Sequence, residues 1–288
     1  MNDGGLIKDI AGLSKPATAL IEKISDGIGS YFKPYQIKRV AKAEAEAEVI
    51  KTLGKIKATE LQQRAFHRLI DEEAKHQANM ELITEKAIGY LEDDAKPEQM
   101  ENDWISNFFD KCRLISDDEM QSLWAKVLAG EANEPGRYSK RTVNFVASMS
   151  KTEARLFTKL CSFVWLIGME FVCIIKGYEN EIYKKNGIKF DSLVHLDEIG
   201  LITFDFTKTF HKEGFPKIWK IFYHNTPIII NFEKEEGNRL HTGNVLLSQM
   251  GKELVPIAGS EPIPEYLDYV IDYWKEKGYT ASCEKPKS

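Results

Sequence analysis

The sequence predicts a mostly α-helical protein with a long-helix amino-terminal half, a central helical motif and an α+β carboxy-terminal domain. No proline occurs between Pro34 and Pro97, and apolar residues of the first half recur at the three- and four-residue steps of helices. Runs rich in aromatic and β-branched residues, typical of strands, lie in the last third of the chain. We predict long helices over residues 1–95, a central motif over 96–149, an α+β domain over 150–260, and a terminal helix and tail over 261–288.

Length and composition exclude several classes of protein. The chain has 288 residues, of which 43% are hydrophobic and 29% charged, which is typical of globular proteins and excludes an integral membrane protein. Its four cysteines form no CxxC pair, which argues against a zinc finger or a disulfide scaffold. Residues 1–8 lack the basic start and apolar core of a secretory signal, so we expect a cytoplasmic protein. The net charge is -5, and no segment is basic enough to require nucleic-acid binding.

Two helical patterns fill the amino-terminal part. The first, Leu6–Phe32, predicts a helix or helix pair docked on the rest of the protein, with a membrane-surface helix as the alternative. The second, about Tyr35–Leu91, predicts a long helix or a helical hairpin. It places Leu53 and Leu61 on one side, and we expect these leucines to pack against another helix, either of this chain or of a second copy.

The central segment contains two helix starts. Ser116 and Ser150 each stand three residues before a glutamate, the pattern in which two side chains satisfy the first free amide groups of a helix. We expect the first of these helices to end at Gly130 and the chain to turn at the Pro-Gly pair of residues 135–136.

Two stretches carry a family resemblance. The segments GLSKPATALIEKISDGIGSYFKPYQIKRVAKAEAEAE (12–48) and DDEMQSLWAKVLAGEANEPGRYSKRTVNFVASMSKTEARLF (117–157) resemble an uncharacterised bacterial family of the domain-of-unknown-function type, related to abortive-infection alpha proteins. The matching positions are Trp124, Ala125, Leu128, Gly130, Glu131, Pro135, Gly136, Ser139 and Arg141. The resemblance implies a cytoplasmic bacterial or prophage-encoded protein that acts in defence against phage, and it implies no particular reaction.

Polar side chains surround the predicted Pro-Gly turn. Glu131, Arg137, Ser139 and Arg141 combine one acid, two guanidinium groups and a hydroxyl within eleven residues of chain. Such groups either form an ionic latch across the turn or contact a ligand or partner.

The carboxy-terminal half opens with the most apolar run of the chain, residues 156–175. Lys159 and Glu170 interrupt it, so it is too short for a membrane span, and we predict a buried core helix. Residues 190–204 predict a short helix that closes on Gly200 and is followed by a strand. Residues 219–223 and 227–232 predict two strands joined by a turn at 224–226.

The order of these elements, together with LSQMGKEL at residues 247–254, resembles a winged-helix module. The resemblance makes the helix at Asp191–Ile199 the recognition helix. That helix carries three acidic residues and neither Lys nor Arg, so we favour protein contact or dimerisation over DNA binding. A lysine cluster keeps nucleic-acid contact as the alternative: Lys208, Lys212, Lys217 and Lys220.

The sequence contains none of the main catalytic motifs. GxxxxGK[ST], GxGxxG, GxSxG and HExxH are all absent. Four histidines, His195, His211, His224 and His241, are scattered through the carboxy-terminal half. Only tertiary proximity to Asp205 or Glu213 would gather them into a metal site or an acid–base pair. We therefore predict neither a cofactor nor a metal.

Taken together, these features favour a non-enzymatic bacterial accessory protein. We expect it to form a homo-oligomer and to bind a macromolecular partner, in the setting of phage defence. The alternatives are a winged-helix DNA-binding regulator or sensor, and a toxic effector that acts on membranes through Leu6–Phe32.

Overall fold

The structure is a computed structural model that describes residues 13–29 and 59–283. The chain divides into two compact units, Met1–Ser148 and Met149–Ser288. The first unit is helical where it is described, and the second is an α+β unit.

Five helices form the described part of the first unit. They are α1 (Lys15–Ile28), α2 (Glu60–Ile88), α3 (Asn102–Cys112), α4 (Asp118–Asn133) and α5 (Lys140–Ser148). A short 3-10 turn at Pro97–Gln99 precedes α3. Helix α2 packs on α4, while α3 packs on both α1 and α5. The core contains the stacked rings of Trp104 and Phe108, and Trp124 meets Phe108 edge-on at a centroid distance of 5.1 Å.

The described part of the first helical pattern, α1, is capped by Ser14, whose side chain accepts a hydrogen bond from the Ala17 amide. Its apolar residues Leu20 and Ile24 are fully buried. Because α1 packs on α3, the face that the membrane-helix alternative requires is covered by protein.

Helix α4 corrects two expectations. Asp117, rather than Ser116, caps it by accepting hydrogen bonds from the amides of Glu119 and Met120. The helix also continues past Gly130 to Asn133. The role of Gly130 is spatial, because a Cβ atom at this position would lie 2.7 Å from the ring of Tyr138. The glycine allows a buried aromatic ring to lie directly on the helix backbone.

The described part of the second unit contains five helices: α6 (Lys151–Cys161), α7 (Glu181–Lys185), α8 (Phe190–Glu198), α9 (Gln249–Leu254) and α10 (Pro264–Glu276). A 3-10 turn at Val255–Ile257 follows α9. The capping box at the start of α6 is confirmed, since Ser150 accepts from the Glu153 amide and Glu153 accepts from the Ser150 amide.

Between residues 149 and 283, nine strands form three antiparallel groups. Their bounds are β1 Val164–Ile167, β2 Glu170–Cys173, β3 Ile202–Phe204, β4 Phe210–Phe215, β5 Ile218–Tyr223, β6 Thr226–Asn231, β7 Asn238–Gly243, β8 Val245–Leu247 and β9 Thr280–Cys283. A five-stranded sheet has the order β2-β1-β5-β6-β9, while β3 pairs with β8 and β4 pairs with β7. Strand β9 and helix α10 therefore belong to the same unit as residues 149–260.

The prediction of a single core helix over residues 156–175 is wrong. Helix α6 ends at Cys161, and β1 and β2 then form a hairpin whose turn is Gly168-Met169, with Ile167 opposite Glu170. Valine, isoleucine and aromatic residues dominate both arms, and these side chains favour a pleated surface over a helix. Gly168 is the local sequence signal for a turn, and the Met169 side chain beside it is 96% exposed.

The predicted strands at residues 219–232 do form a hairpin, β5–β6, with His224-Asn225 at its turn. This hairpin belongs to the five-stranded sheet, whereas the strand that follows α8, β3, pairs with the distant β8. The hairpin is therefore not attached to α8 in the way that the predicted element order implied.

Candidate functional site

Helix α2 has an apolar face that is covered in only one half. Ile83 and Ala87 are buried where the helix packs on α4. Leu61 and Leu69 lie on the same side of the helix by its 3.6-residue period, yet 68% and 53% of their surfaces are exposed. Residues 60–75 span roughly 24 Å at 1.5 Å per residue. The face that packs internally at one end is thus open to solvent at the other.

Charged pairs line the open half of α2. Arg64 lies 3.6 Å from Glu60, and Arg68 lies 3.3 Å from Glu72, each one helical turn apart. Alternating charges beside an apolar strip are typical of helices that pack against another helix. Leu53, the other predicted contact residue, lies outside the described residues.

The turn between α4 and α5 is organised by the buried Glu131, which is 2% exposed. One carboxylate oxygen accepts a hydrogen bond from the Gly136 amide at 2.7 Å, and the other accepts from the Tyr138 amide at 2.8 Å. Trp104 adds a third tie by donating its indole N–H to the Tyr138 carbonyl at 2.7 Å. Glu131 therefore latches the Pro-Gly turn to α4 through main-chain amides.

The other three residues predicted at this turn lie nearer the surface. Ser139 accepts from the Thr142 amide at 3.2 Å, as helix-capping hydroxyls do. Arg137 lies 3.7 Å from Glu134 at the surface, and Arg141 is exposed on α5. The structure thus places Glu131 and Ser139 in local structural hydrogen bonds and leaves Arg141 accessible to a partner.

The predicted lysine cluster is divided among several elements. Lys212 on β4 pairs with Glu170, and Lys217 pairs with Glu235 at 2.6 Å. Lys220 lies on β5 over the Phe222 ring, and Lys208 lies in the loop before β4. Phosphate groups would have to displace carboxylates from Lys212 and Lys217.

The structure brings together three residues that the sequence left scattered. On the paired strands β4 and β7, His211 lies opposite His241, with ring centroids 6.0 Å apart. Glu213 lies on the same face, and its carboxylate contacts His211 Nε2 at 3.0 Å and Arg239 Nε at 2.8 Å. His195 instead pairs with Glu153 of α6, and Asp205 caps its own turn through the Thr207 amide.

These histidines do not make a metal centre. Within residues 13–29 and 59–283 there is no group of three or more His, Cys, Asp or Glu side chains arranged to hold a metal ion. Burial lowers the pKa of His241, and Lys277, His211, Lys176 and Arg239 lower it further because they place positive charge nearby. The arrangement therefore favours a neutral His241 in a positively charged environment.

Two lysines and a tyrosine of this environment were missed by sequence analysis: Lys176, Lys277 and Tyr279. Lys176 follows β2, while Lys277 and Tyr279 lie between α10 and β9. No local spacing connects these positions with His241, so only the tertiary fold could reveal them.

Three of the four cysteines are unsuited to act as nucleophiles. Cys112, Cys161 and Cys173 are buried, and burial raises the pKa of each thiol. A raised pKa disfavours the reactive thiolate, so these residues behave as small apolar core groups.

No helix among the described residues combines the length and apolar character needed to cross a bilayer. The model of a family described as "Protein of unknown function (DUF2806)" matches residues 63–271. No curated protein and no solved structure matches the chain.

Proposed function

The chain belongs to the DUF2806 family of proteins of unknown function, and we propose that it is a non-enzymatic accessory protein that self-associates and binds a macromolecular partner. The single observation that carries this proposal is the open apolar face of α2. Leu61 and Leu69 continue the apolar face that packs on α4, and in this half of the helix the face is exposed to solvent.

A second copy of α2 is the occupant that we propose for this face. Burying two leucine side chains against their counterparts gains about 1.5–3 kcal/mol for each fully buried side chain. The basic and acidic side chains beside the strip, such as Arg64 and Glu60, can pair with those of an adjacent helix of the same sequence. A homo-oligomer is therefore the natural consequence of this surface.

Light scattering on the purified full chain over a range of concentrations tests self-association. We expect a dimer or larger species for the wild type, and a shift to monomer for the double variant Leu61→Ser/Leu69→Ser. Leu114→Ser is the matched control, since Leu114 is 65% exposed and belongs to the same unit but lies outside α2. A monomeric wild type at tens of micromolar, or equal behaviour of the double variant and the wild type, would contradict the proposal.

We also propose that α7, α8, β3 and β8 form a winged-helix-like module that contacts protein rather than DNA. The acidic residues Asp191 and Asp197 on α8 support this assignment, because they repel phosphate. Phe190 and Phe206 support it as well. Their rings lie 6.0 Å apart, and 59% of Phe206 is exposed.

Fluorescence anisotropy with a mixed-sequence DNA duplex at low salt separates the two roles of this module. We expect no binding that the double variant Lys212→Gln/Lys217→Gln reduces. Binding that weakens steeply with salt and is reduced in Lys212→Gln/Lys217→Gln would support a DNA-binding regulator instead.

The cytoplasmic location and the role in phage defence are proposals that the resemblance of residues 12–48 and 117–157 supports. The efficiency of phage plating on cells that express the wild type or Leu61→Ser/Leu69→Ser tests them. We expect protection by the wild type and its loss in the variant. Equal plating with and without the wild-type protein would count against a defence role.

A further inference from the structure

Side chains from two distant parts of the second unit lie next to the paired strands β4 and β7. On one side, Ile175 forms a bridge to Gly243, with its amide donating to Thr242 and its carbonyl accepting from Asn244. This bridge places the next residue, Lys176, close to His241. On the other side, the Trp274 indole of α10 donates to the His241 carbonyl at 3.5 Å, which brings Lys277 and Tyr279 to the same face.

Lys176 and Lys277 both lie near His241. Neither lies within ion-pair distance of a carboxylate among the described residues. The Lys176 ammonium lies 3.6 Å from the centre of the Tyr273 ring, which orients it without neutralising it. Burial and the charge of Lys277 lower the pKa of Lys176, while Glu276 acts in the opposite direction.

Arg239 adds donors to the same surface. Its Nε contacts Glu213, so its terminal amino groups remain available. The His241 ring stacks parallel to Tyr279 at a centroid distance of 6.5 Å. The face therefore holds two ammonium groups without an ion pair, the terminal amino groups of Arg239, an imidazole and a phenol. Three carboxylates lie near them, those of Glu213, Glu233 and Glu276.

Lys212 and Lys217 provide an internal contrast. They lie in the same unit and are paired with Glu170 and Glu235. Like charges that lack counter-ions repel one another, and a bound anion relieves this repulsion. Lys176 and Lys277 thus have the electrostatic deficit of an anion site, whereas Lys212 and Lys217 do not.

We propose that Lys176, Arg239, His241 and Lys277 form a binding site for a phosphate group, carried either by a phosphomonoester or by a nucleic-acid backbone. Two ammonium groups and the free guanidinium amines donate to the phosphate oxygens, as at other phosphate sites. A neighbouring cavity of about 370 Å³ is lined by Lys234, Arg239, Lys277, Tyr279 and one carboxylate, that of Glu233, and it has room for the remainder of the ligand beside an aromatic ring. The site is distinct from the α2 face and does not depend on self-association.

Calorimetric titration of the full chain with three probes tests the proposal. The probes are inorganic phosphate, adenosine 5′-monophosphate and a short single-stranded RNA. We expect saturable binding by the wild type and affinity at least about tenfold weaker in Lys176→Gln/Lys277→Gln, because two charge-assisted hydrogen bonds are lost. The matched control is Lys212→Gln/Lys217→Gln, which removes the same charge from the same unit, and it should stay within about twofold of the wild type. If the first double variant fails to fold, as judged by circular dichroism, the exposed Lys277→Gln alone replaces it.

A second readout is the NMR titration of the histidine ring protons. Bound phosphate should raise the apparent pKa of His241, with the signal assigned by its absence in His241→Gln. Tighter binding of RNA than of the mononucleotide would identify a nucleic-acid backbone as the source of the phosphate, and equal affinity would identify a phosphomonoester. Absence of saturable binding for all three probes, or an equal loss in the control variant, overturns the proposal.

Discussion

The two units satisfy their buried polar groups over very different distances along the chain. In the first unit, Glu131 accepts from amides only 5 and 7 residues away. In the second unit, the buried Trp165 indole donates to the hydroxyl of Tyr266, 101 residues later, and that hydroxyl donates to the Ile174 carbonyl. The carboxylate latch of the first unit is thus specified by nearby residues, and the Trp104 indole reaches the same turn from 34 residues away. The second unit is completed only when its last helix returns to its first strands, about 100 residues later in the chain.

The largest expected effect comes from the closest backbone approach in the second unit. Gly243 has a φ of +101°, and a Cβ atom there would lie 1.9 Å from the Ile175 carbonyl oxygen. We expect Gly243→Ala to lower the free energy of unfolding by more than about 3 kcal/mol, since the backbone itself must move. Urea unfolding gives the loss, and hydrogen exchange should locate it in residues 149–283.

Gly214→Ala, in the adjacent strand β4, is the control for this substitution. Its φ of +88° is similarly strained for alanine, but nothing lies within 4 Å of the added Cβ atom. We expect a loss of about 1 kcal/mol from backbone strain alone. Equal losses in the two variants would show that the long-range bridge between Ile175 and Gly243 contributes little.

The next largest effect tests the local latch of the first unit. Glu131→Ala leaves the amides of Gly136 and Tyr138 without their acceptor in a buried turn, and we expect a loss of about 3 kcal/mol. Glu134→Ala is the control, because the Glu134 side chain is largely exposed and its ion pair with Arg137 should contribute less than about 0.5 kcal/mol. Hydrogen exchange should show the loss in residues 59–148 and leave β1 protected; exposure of β1 as well would mean that the latch is not local.

The sequence predicts features formed by neighbouring residues better than features formed by residues far apart in the chain. The capping box at Ser150 and the hairpin β5–β6 are written in adjacent residues, and both predictions are confirmed. The sequence predicts a helix where residues 164–173 form a hairpin, because an apolar run shows no clear period that separates a buried helix from a buried strand. The partner of β3 lies some forty residues away, in β8, so no local pattern could identify it.

The same contrast between local and distant contacts applies to the residues of the candidate sites. The lysines at 212 and 217 are close in sequence and therefore drew notice, yet the fold supplies each with a carboxylate. Lys176 and Lys277 are far apart in sequence and meet only because the second unit closes. Proximity along the chain is thus a poor guide to electrostatic proximity in a unit held together by long-range contacts.

A smaller effect is expected when the hydrogen bond between the buried Trp165 and Tyr266 side chains is removed from the second unit. Tyr266→Phe removes the hydroxyl that accepts from the Trp165 indole at 3.0 Å, which leaves a buried N–H without a partner. We expect a loss of about 2 kcal/mol in urea unfolding. Tyr178→Phe is the control, since its hydroxyl makes no hydrogen bond among the described residues and the change should cost less than about 0.5 kcal/mol. A neutral Tyr266→Phe would mean that ring packing alone closes the unit.

The smallest effect is a pH dependence that belongs to the second unit. Burial lowers the pKa of both His224 and His241 below the ordinary value of 6.5, and for His241 the charge of Lys277 is the next cause. A histidine with a lowered pKa in the folded state binds protons more readily when the chain unfolds. Stability is therefore full above about pH 6.5 and falls as the pH drops below that value towards the folded-state pKa.

The pH range in which the histidines affect stability differs from the range in which the carboxylates do. Glu153 and Glu170 have pKa values below their ordinary 4.5, because Glu153 accepts hydrogen bonds from Ser150 and Glu170 pairs with Lys212, so their contribution is lost only in more acidic solution. We expect the free energy of unfolding to decrease between about pH 7 and about pH 5.5, by less than for any substitution above, and to become flatter in His224→Gln/His241→Gln. Urea unfolding at these two pH values measures the slope. If the free energy of unfolding depends on pH equally in the double variant and the wild type, other groups cause the acid sensitivity. The pKa of His241 would then not be lowered by its surroundings in the folded state.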